Sequence, residues 1–197
     1  VLVDTDTLVS VENVRGSGFN DALFGNDLAN NLAGGAGDDE IRGNGGNDVL
    51  VGGTGLDSLY GGDGDDTFVQ DRLIDENPTG TRIDYLVGGA GIDTVDYGSV
   101  TLRVNDSAGI VVDLVNLSAT MPSRHYDQLE SIENVVGTIG FDKLYGDGNV
   151  NVLTGLSGDD IIFGAGGDDM LFGGDGRDEL HGDDGKDFID GGEGDDL

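Results

Sequence analysis

Aspartates recur at nine-residue intervals in two stretches of this chain, at Asp39, Asp48, Asp57 and Asp66 and again at Asp160, Asp169, Asp178 and Asp187, each behind a glycine-rich turn. Glycine lets backbone carbonyls crowd together, so short carboxylates at the ends of such turns create clusters of hard oxygens. Those are ligands for calcium, which takes six to eight of them. Magnesium demands tighter octahedral geometry and keeps its waters, so it suits an all-protein cage less well.

Catalytic readings are weaker. The sequence has no H-E-x-x-H, no G-x-S-x-G, no P-loop and no cysteine. Adjacent aspartates such as Asp38–Asp39, Asp65–Asp66 and Asp159–Asp160 imitate a glycosidase pair but recur with the period, which a catalytic pair does not require. His125 and His181 stand in unrelated contexts, and His181 takes an outward place in its repeat. Asp63, Gly64 and Asp65 lack the twelve-residue ligand order and closing glutamate of an EF-hand.

Composition agrees with a cation ligand. The 197 residues include 38 Gly, 33 Asp but only 7 Glu, 9 Lys+Arg and no Cys, for a net charge of −31. A general acidic surface would use both carboxylates, whereas tight turns around a cation favour the shorter one. So negative a field repels nucleic acid and anionic lipid, and calcium ions are the partners it attracts. Without cysteine there is no disulfide or thiolate staple. No apolar run is long enough to insert in a membrane, and VLVDTDTLVS lacks the pattern of a cleaved signal peptide.

The repeat dictates the elements that position these groups. GGAGDDEIR (34–42), GNGGNDVLV (43–51), GGTGLDSLY (52–60) and GGDGDDTFV (61–69) are nonamers, and GGAGIDTVD (88–96) returns after a gap. A second run covers 137–197, and SVENVRG (10–16) recurs as SIENVVG (131–137) at an offset of 121. In each nonamer the first six residues predict a turn and the last three a strand whose middle residue points inward, as at Leu32, Ile41, Leu50, Leu59, Phe68, Leu144, Ile162 and Ile189. The expected fold is all-β, a flattened parallel β-solenoid with two nonamers per coil. One apolar residue per nonamer is a small return for ordering nine backbones, and stacked aspartates repel. Metal must therefore hold the coils together.

These nonamers resemble the G-G-x-G-x-D-x-U-x repeat of the RTX, haemolysin-type calcium-binding family. The resemblance implies a calcium-bound parallel β-roll, here two tandem rolls joined by a capping spacer: an entry segment 1–15, a first roll 16–96 with an inserted loop 70–87, a spacer 97–136 and a second roll 137–197. It also implies ions between turns two nonamers apart. One would join Gly35, Gly37 and Asp39 to Gly52, Thr54 and Asp57, and another Asn44, Gly46 and Asp48 to Gly61, Asp63 and Asp66. In the second roll Leu156, Gly158 and Asp160 would face Gly173, Asp175 and Asp178, and Ala165, Gly167 and Asp169 would face Gly182, Asp184 and Asp187. Gly174, Gly176 and Asp178 would meet Gly191, Glu193 and Asp196. Gly53 and Gly55 are further carbonyl candidates beside Asp57, and Gly88, Ala90 and Asp93 join the first roll if 70–87 bulges out. The implied count is about six to ten Ca2+.

Asn30 and Asn151 replace the carboxylate, and Phe19 replaces the fourth glycine, so the first turns of each run read as caps packed against SVENV and SIENV. In the spacer, TLRVN (101–105) and IVVDLVN (110–116) read as a hairpin around DSAG. Arg103, Arg124, His125 and Tyr126 offer contacts to a glycan or partner, or belong to a cap with its arginines against acidic neighbours.

By resemblance the chain is not an enzyme but a bacterial, secreted, extracellular module. It would fold on calcium outside the cell and assist type I secretion of a larger protein carrying a catalytic, toxin or adhesin domain. Alternatives are a segment of a surface-layer or adhesin protein and an accessory module of an RTX protease, lipase or alginate epimerase. The unfinished nonamer at Leu197 suggests a fragment of something longer.

Overall fold

A computed structural model describes residues 11–70, 82–100, 108–121 and 125–197. The first run supplies β1 (Asn13–Arg15), β2 (Ala22–Phe24), β3 (Asn31–Ala36), β4 (Glu40–Gly45), β5 (Val49–Thr54), β6 (Ser58–Asp63), β7 (Thr67–Val69), β8 (Arg82–Ala90) and β9 (Thr94–Asp96). The spacer supplies β10 (Ala108–Asp113), β11 (Ser118–Thr120), β12 (His125–Glu130) and β13 (Asn134–Val136). The second run supplies β14 (Phe141–Tyr145), β15 (Val152–Ser157), β16 (Ile161–Phe163), β17 (Met170–Asp175), β18 (Glu179–His181) and β19 (Phe188–Glu193).

Successive repeat strands alternate between two sheets. One has the order β1-β3-β5-β7-β9-β13-β15-β17-β19 and the other β18-β16-β14-β10-β11-β12-β8-β6-β4-β2. Within the runs the pairing is parallel and pairs like with like two nonamers apart, Leu32 with Leu50, Ile41 with Leu59 and Leu144 with Ile162. This is the expected all-β parallel roll. Many strands exceed the expected three residues: β3, β4, β5, β6, β15, β17 and β19 each run for six. Stacking identical turns sets equivalent backbone groups opposite one another, so the ladder continues into the turns, with Gly35 on Gly53 and Ala36 on Thr54.

The inward residues form one buried column from Leu32 to Leu171, now including Leu86, Leu129 and Val135. Ile189, expected in that column, is 47% exposed because β19 is an edge strand with one neighbour.

The two runs, expected as tandem rolls, share both sheets. The spacer pairs with strands of both runs: β13 with β9 and β15, and β12 in parallel with β8. Strand edges left open by β8 and β9 are thereby hydrogen-bonded. Between β12 and β14 the second sheet holds two further strands, β10 and β11, whereas β13 and β15, which follow them in the first sheet, are direct neighbours. The extra width, at about 4.8 Å per strand, is filled by Tyr97, Val100, Ile110, Val112, Leu114, Ala119 and Met121, all buried. The hairpin also differs from expectation. Strand β10 pairs with β11 on one edge and β14 on the other, so its antiparallel partner is 118–120. TLRVN lies outside the described residues, as do Arg103 and Arg124. Of the inserted loop, 71–81 lies outside them, while 82–87 belongs to β8. Tyr126 is 39% exposed on β12.

Candidate metal centre

The turns stack along both edges of the roll, and the sixth-place aspartates connect one coil to the next. Asp39 N donates to Asp57 Oδ1 at 2.9 Å, Asp48 N to Asp66 Oδ1 at 2.8 Å, and Asp66 N to Asp93 Oδ1 at 2.8 Å. In the second run Asp160 N donates to Asp178 Oδ1 at 2.8 Å, Asp169 N to Asp187 Oδ1 at 3.0 Å and Asp178 N to Asp196 Oδ1 at 3.0 Å. Each carboxylate thus spends one oxygen on the backbone of the preceding coil.

The other oxygen faces more oxygen. Oδ2 of Asp39, Asp48, Asp66, Asp93, Asp160, Asp169 and Asp178 is buried without a hydrogen-bond donor. A Cβ added to Gly34 would meet both Asp39 Oδ2 and, at 2.7 Å, the Gly52 carbonyl oxygen. The cradle recurs at Gly43 (Asp48 Oδ2, Gly61 O), Gly61 (Asp66 Oδ2, Gly88 O), Gly155 (Asp160 Oδ2, Gly173 O), Gly164 (Asp169 Oδ2, Gly182 O) and Gly173 (Asp178 Oδ2, Gly191 O). Burying acceptors against acceptors is costly unless a cation lies between them.

Second- and fourth-place carbonyls also stack from coil to coil. The oxygens of Gly35 and Gly37 lie against Gly53 and Gly55, those of Asn44 and Gly46 against Gly62 and Gly64, and those of Leu156 and Gly158 against Gly174 and Gly176. Gly174 O and Gly176 O lie likewise against Gly192 and Gly194, and Gly167 O against Gly185. Third-place carbonyls keep one lone pair, because Thr54, Ala90, Asp175, Asp184 and Glu193 each accept a single fourth-place N–H, Thr54 from Gly37 at 2.8 Å. Asp63 pairs with Gly45 across the same stack. The Ala165 carbonyl accepts Asp184 N–H at 3.0 Å, as the second-place carbonyls of Ser17, Asn26 and Asp147 accept a third-place N–H from the next coil. Asn44, Leu156 and Ala165 hold φ of 77°, 82° and 75° although they are not glycine. That left-handed conformation is costly for a residue with a Cβ and persists only where the surroundings impose it.

Among the described residues no three His, Cys, Asp or Glu side chains gather as a metal cluster. The pairs of turns expected from the sequence would instead offer two carboxylates and four carbonyls to each ion, the hard-oxygen number that calcium uses.

The first turns of the runs are closed by protein groups. Thr138 N and Oγ1 donate to Asp142, and Ser17 N and Oγ donate to Asp21. Asn151 Nδ2 donates to Glu133 O at 2.8 Å, an amide donor in a sixth place. Sequence reading missed Gly62 and Gly64, whose carbonyls face Gly89 and Gly91, and Asp84, whose Oδ1 accepts Asp57 N–H at 2.9 Å. The segment TGTRIDYLV (79–87) is a nonamer in frame, with Asp84 sixth and Leu86 eighth, and only the missing glycines concealed it.

Burial, reinforced by neighbouring carboxylates and opposed by the backbone hydrogen bonds, pushes Asp48 and Asp93 up to about 6 and Asp160 up to about 7, from 3.8. Between those values the metal-free fold binds more protons than the unfolded chain, so its stability falls as pH rises from about 4 to about 7. Protons also compete with calcium for the same oxygens. Acidification from pH 7 to 4.5 is therefore expected to add β-structure in chelator and to release calcium in its presence. Loss of β-structure on acidification in chelator, or calcium still bound in dialysis at pH 4.5, would contradict this.

The family model for the RTX calcium-binding nonapeptide repeat (4 copies) matches residues 15–50, 24–59, 42–69, 79–96, 130–162, 145–180 and 163–197, more than half of the chain. A search of curated proteins gives no match.

Proposed function

Since the chain belongs to the RTX calcium-binding nonapeptide repeat family, we propose that its calcium-binding roll folds on extracellular calcium and so assists export and folding of a larger bacterial protein by type I secretion. The supporting observation is the row of buried Oδ2 atoms facing carbonyls and lacking donors. Without metal those groups oppose folding, and a chain carrying a net charge of −31 stays open in a calcium-poor cytosol. Where calcium is near millimolar, binding free energy becomes folding free energy.

The ligands of each ion are the paired sets named from the sequence, with Gly62 and Gly64 added to the turn facing Gly88, Ala90 and Asp93. Six donorless oxygens, from Asp39, Asp48, Asp66, Asp160, Asp169 and Asp178, support six ions, at the lower end of the expected six to ten. Each inner turn serves two neighbours, so filling is cooperative.

Calcium titration followed by circular dichroism tests this reading. The expected result is a cooperative gain of β-structure, with magnesium at equal concentration giving little of it. A fully folded chain in excess chelator would overturn the reading.

A second reading, a stiff calcium-set segment of a surface-layer or adhesin protein, draws support from the continuity of both sheets through the spacer. Further repeat modules flanking this segment in its gene would favour it, and a neighbouring catalytic domain would favour an enzyme accessory role.

A further inference from the structure

Where the first repeat run ends, Asp93 faces no second glycine nonamer. Its neighbour is the short turn Ser131–Glu133, three residues where a repeat has six, with Ser131 at φ 52°. The turn is nonetheless locked in register. Thr94 pairs with Asn134, and the Asp93 carbonyl accepts Glu133 N–H at 3.1 Å and Asn134 N–H at 2.9 Å.

The ladder of carboxylates continues across this junction. Asp66 N donates to Asp93 Oδ1, and Asp93 N in turn donates to Glu133 Oε2 at 2.8 Å, so Glu133 takes the role that a sixth-place aspartate has elsewhere. Asp93 is fully buried, and its Oδ2 has no donor. A Cβ added to Gly88 would meet Asp93 Oδ2 together with the Ser131 carbonyl oxygen, the same cradle found between repeat turns. On the far side, Asn151 Nδ2 holds the Glu133 carbonyl at 2.8 Å, tying the turn to the second run.

We propose that a calcium ion binds between Asp93, the Ser131 carbonyl and Glu133, and couples the folding of the two repeat runs. The inference rests on the calcium-dependent folding proposed above, but the site is built from one repeat turn and one turn outside the repeat. A turn three residues shorter has no counterpart of the third-place carbonyl of Thr54 or Ala90. The shell is correspondingly poorer in protein oxygens, and this ion binds more weakly than those between repeat turns.

Calcium binding to the whole chain by equilibrium dialysis, with and without Glu133→Gln, tests the site. The variant is expected to bind one ion fewer and to split a single folding transition into two during calcium titration. Unchanged stoichiometry overturns the proposal. Should Glu133→Gln fail to fold, a crystal of the unaltered chain grown in calcium decides. An ion about 2.3–2.6 Å from Asp93 Oδ2 and Ser131 O supports the site, and its absence there while repeat turns hold ions overturns it. No ions anywhere in the unaltered chain would instead defeat calcium-dependent folding itself.

Discussion

Asp57→Ala is expected to remove one bound calcium ion and to raise the calcium midpoint of folding about a hundredfold, while Asp27→Ala leaves both nearly unchanged. Asp57 stands in mid-ladder: its Oδ1 accepts Asp39 N–H at 2.9 Å, and its own N–H donates to Asp84 Oδ1 at 2.9 Å. Its carboxylate serves the ion shared with Asp39. Removing one partner from a buried charged set costs about 3 kcal/mol or more, and the midpoint shift converts that loss at about 1.4 kcal/mol per tenfold. Asp27 carries the same charge on an exposed part of a turn whose sixth place is Asn30. Equal shifts for the two variants, read by circular dichroism and equilibrium dialysis, would mean that net charge rather than ligand position governs folding.

The period carried most of the fold. A nonamer with one inward residue fixes a parallel roll with two nonamers per coil, and the register of Leu32 on Leu50 and Leu59 on Leu86 follows that rule even across the insertion. Legibility stopped where glycine did. In TGTRIDYLV and in PSRHYDQLE (122–130) the aspartate and leucine keep their sixth and eighth places, yet Thr79, Arg82, Pro122 and His125 occupy the glycine places. A search led by glycine passes over both, whereas the 27-residue step from Asp57 to Asp84 reveals the first. The pairing of β10 with β14 joins distant segments through a register shift, and local patterning has no means of specifying it.

The turns from which the metal sets are proposed were legible for a related reason. Turns that repeat in sequence repeat in conformation, so one turn's ligands give the next. Glu133 was not legible as a counterpart of the aspartates, because it follows a shortened turn and has a longer side chain. Only the hydrogen bond from Asp93 N and the shared cradle at Gly88 place it in the series.

The cradles also allow a test that leaves every ligand side chain in place. Gly43→Ala is expected to abolish the ion between Asp48 and Asp66 and raise the calcium midpoint about tenfold, equivalent to about 1.4 kcal/mol. Gly45→Ala, two residues along the same turn, is expected to stay within about twofold, a few tenths of a kcal/mol. The new Cβ at Gly43 would lie against Asp48 Oδ2 and 2.7 Å from the Gly61 carbonyl oxygen, the space the cation needs. At Gly45 the nearest atom is Asp27 Cα at 3.5 Å, an ordinary contact. Neither glycine has a left-handed φ, so alanine is conformationally acceptable at both. The entropic gain of replacing glycine, about 0.4–1 kcal/mol, applies to both variants and cancels in the comparison. What remains is the crowding at Gly43, which denies the cradle to a cation and also presses on the Gly61 carbonyl, so bound calcium rather than the midpoint alone decides. If dialysis showed Gly43→Ala binding as much calcium as Gly45→Ala, the ion would have to lie elsewhere between the turns, and the buried oxygens of Asp48 and Gly61 would need another explanation.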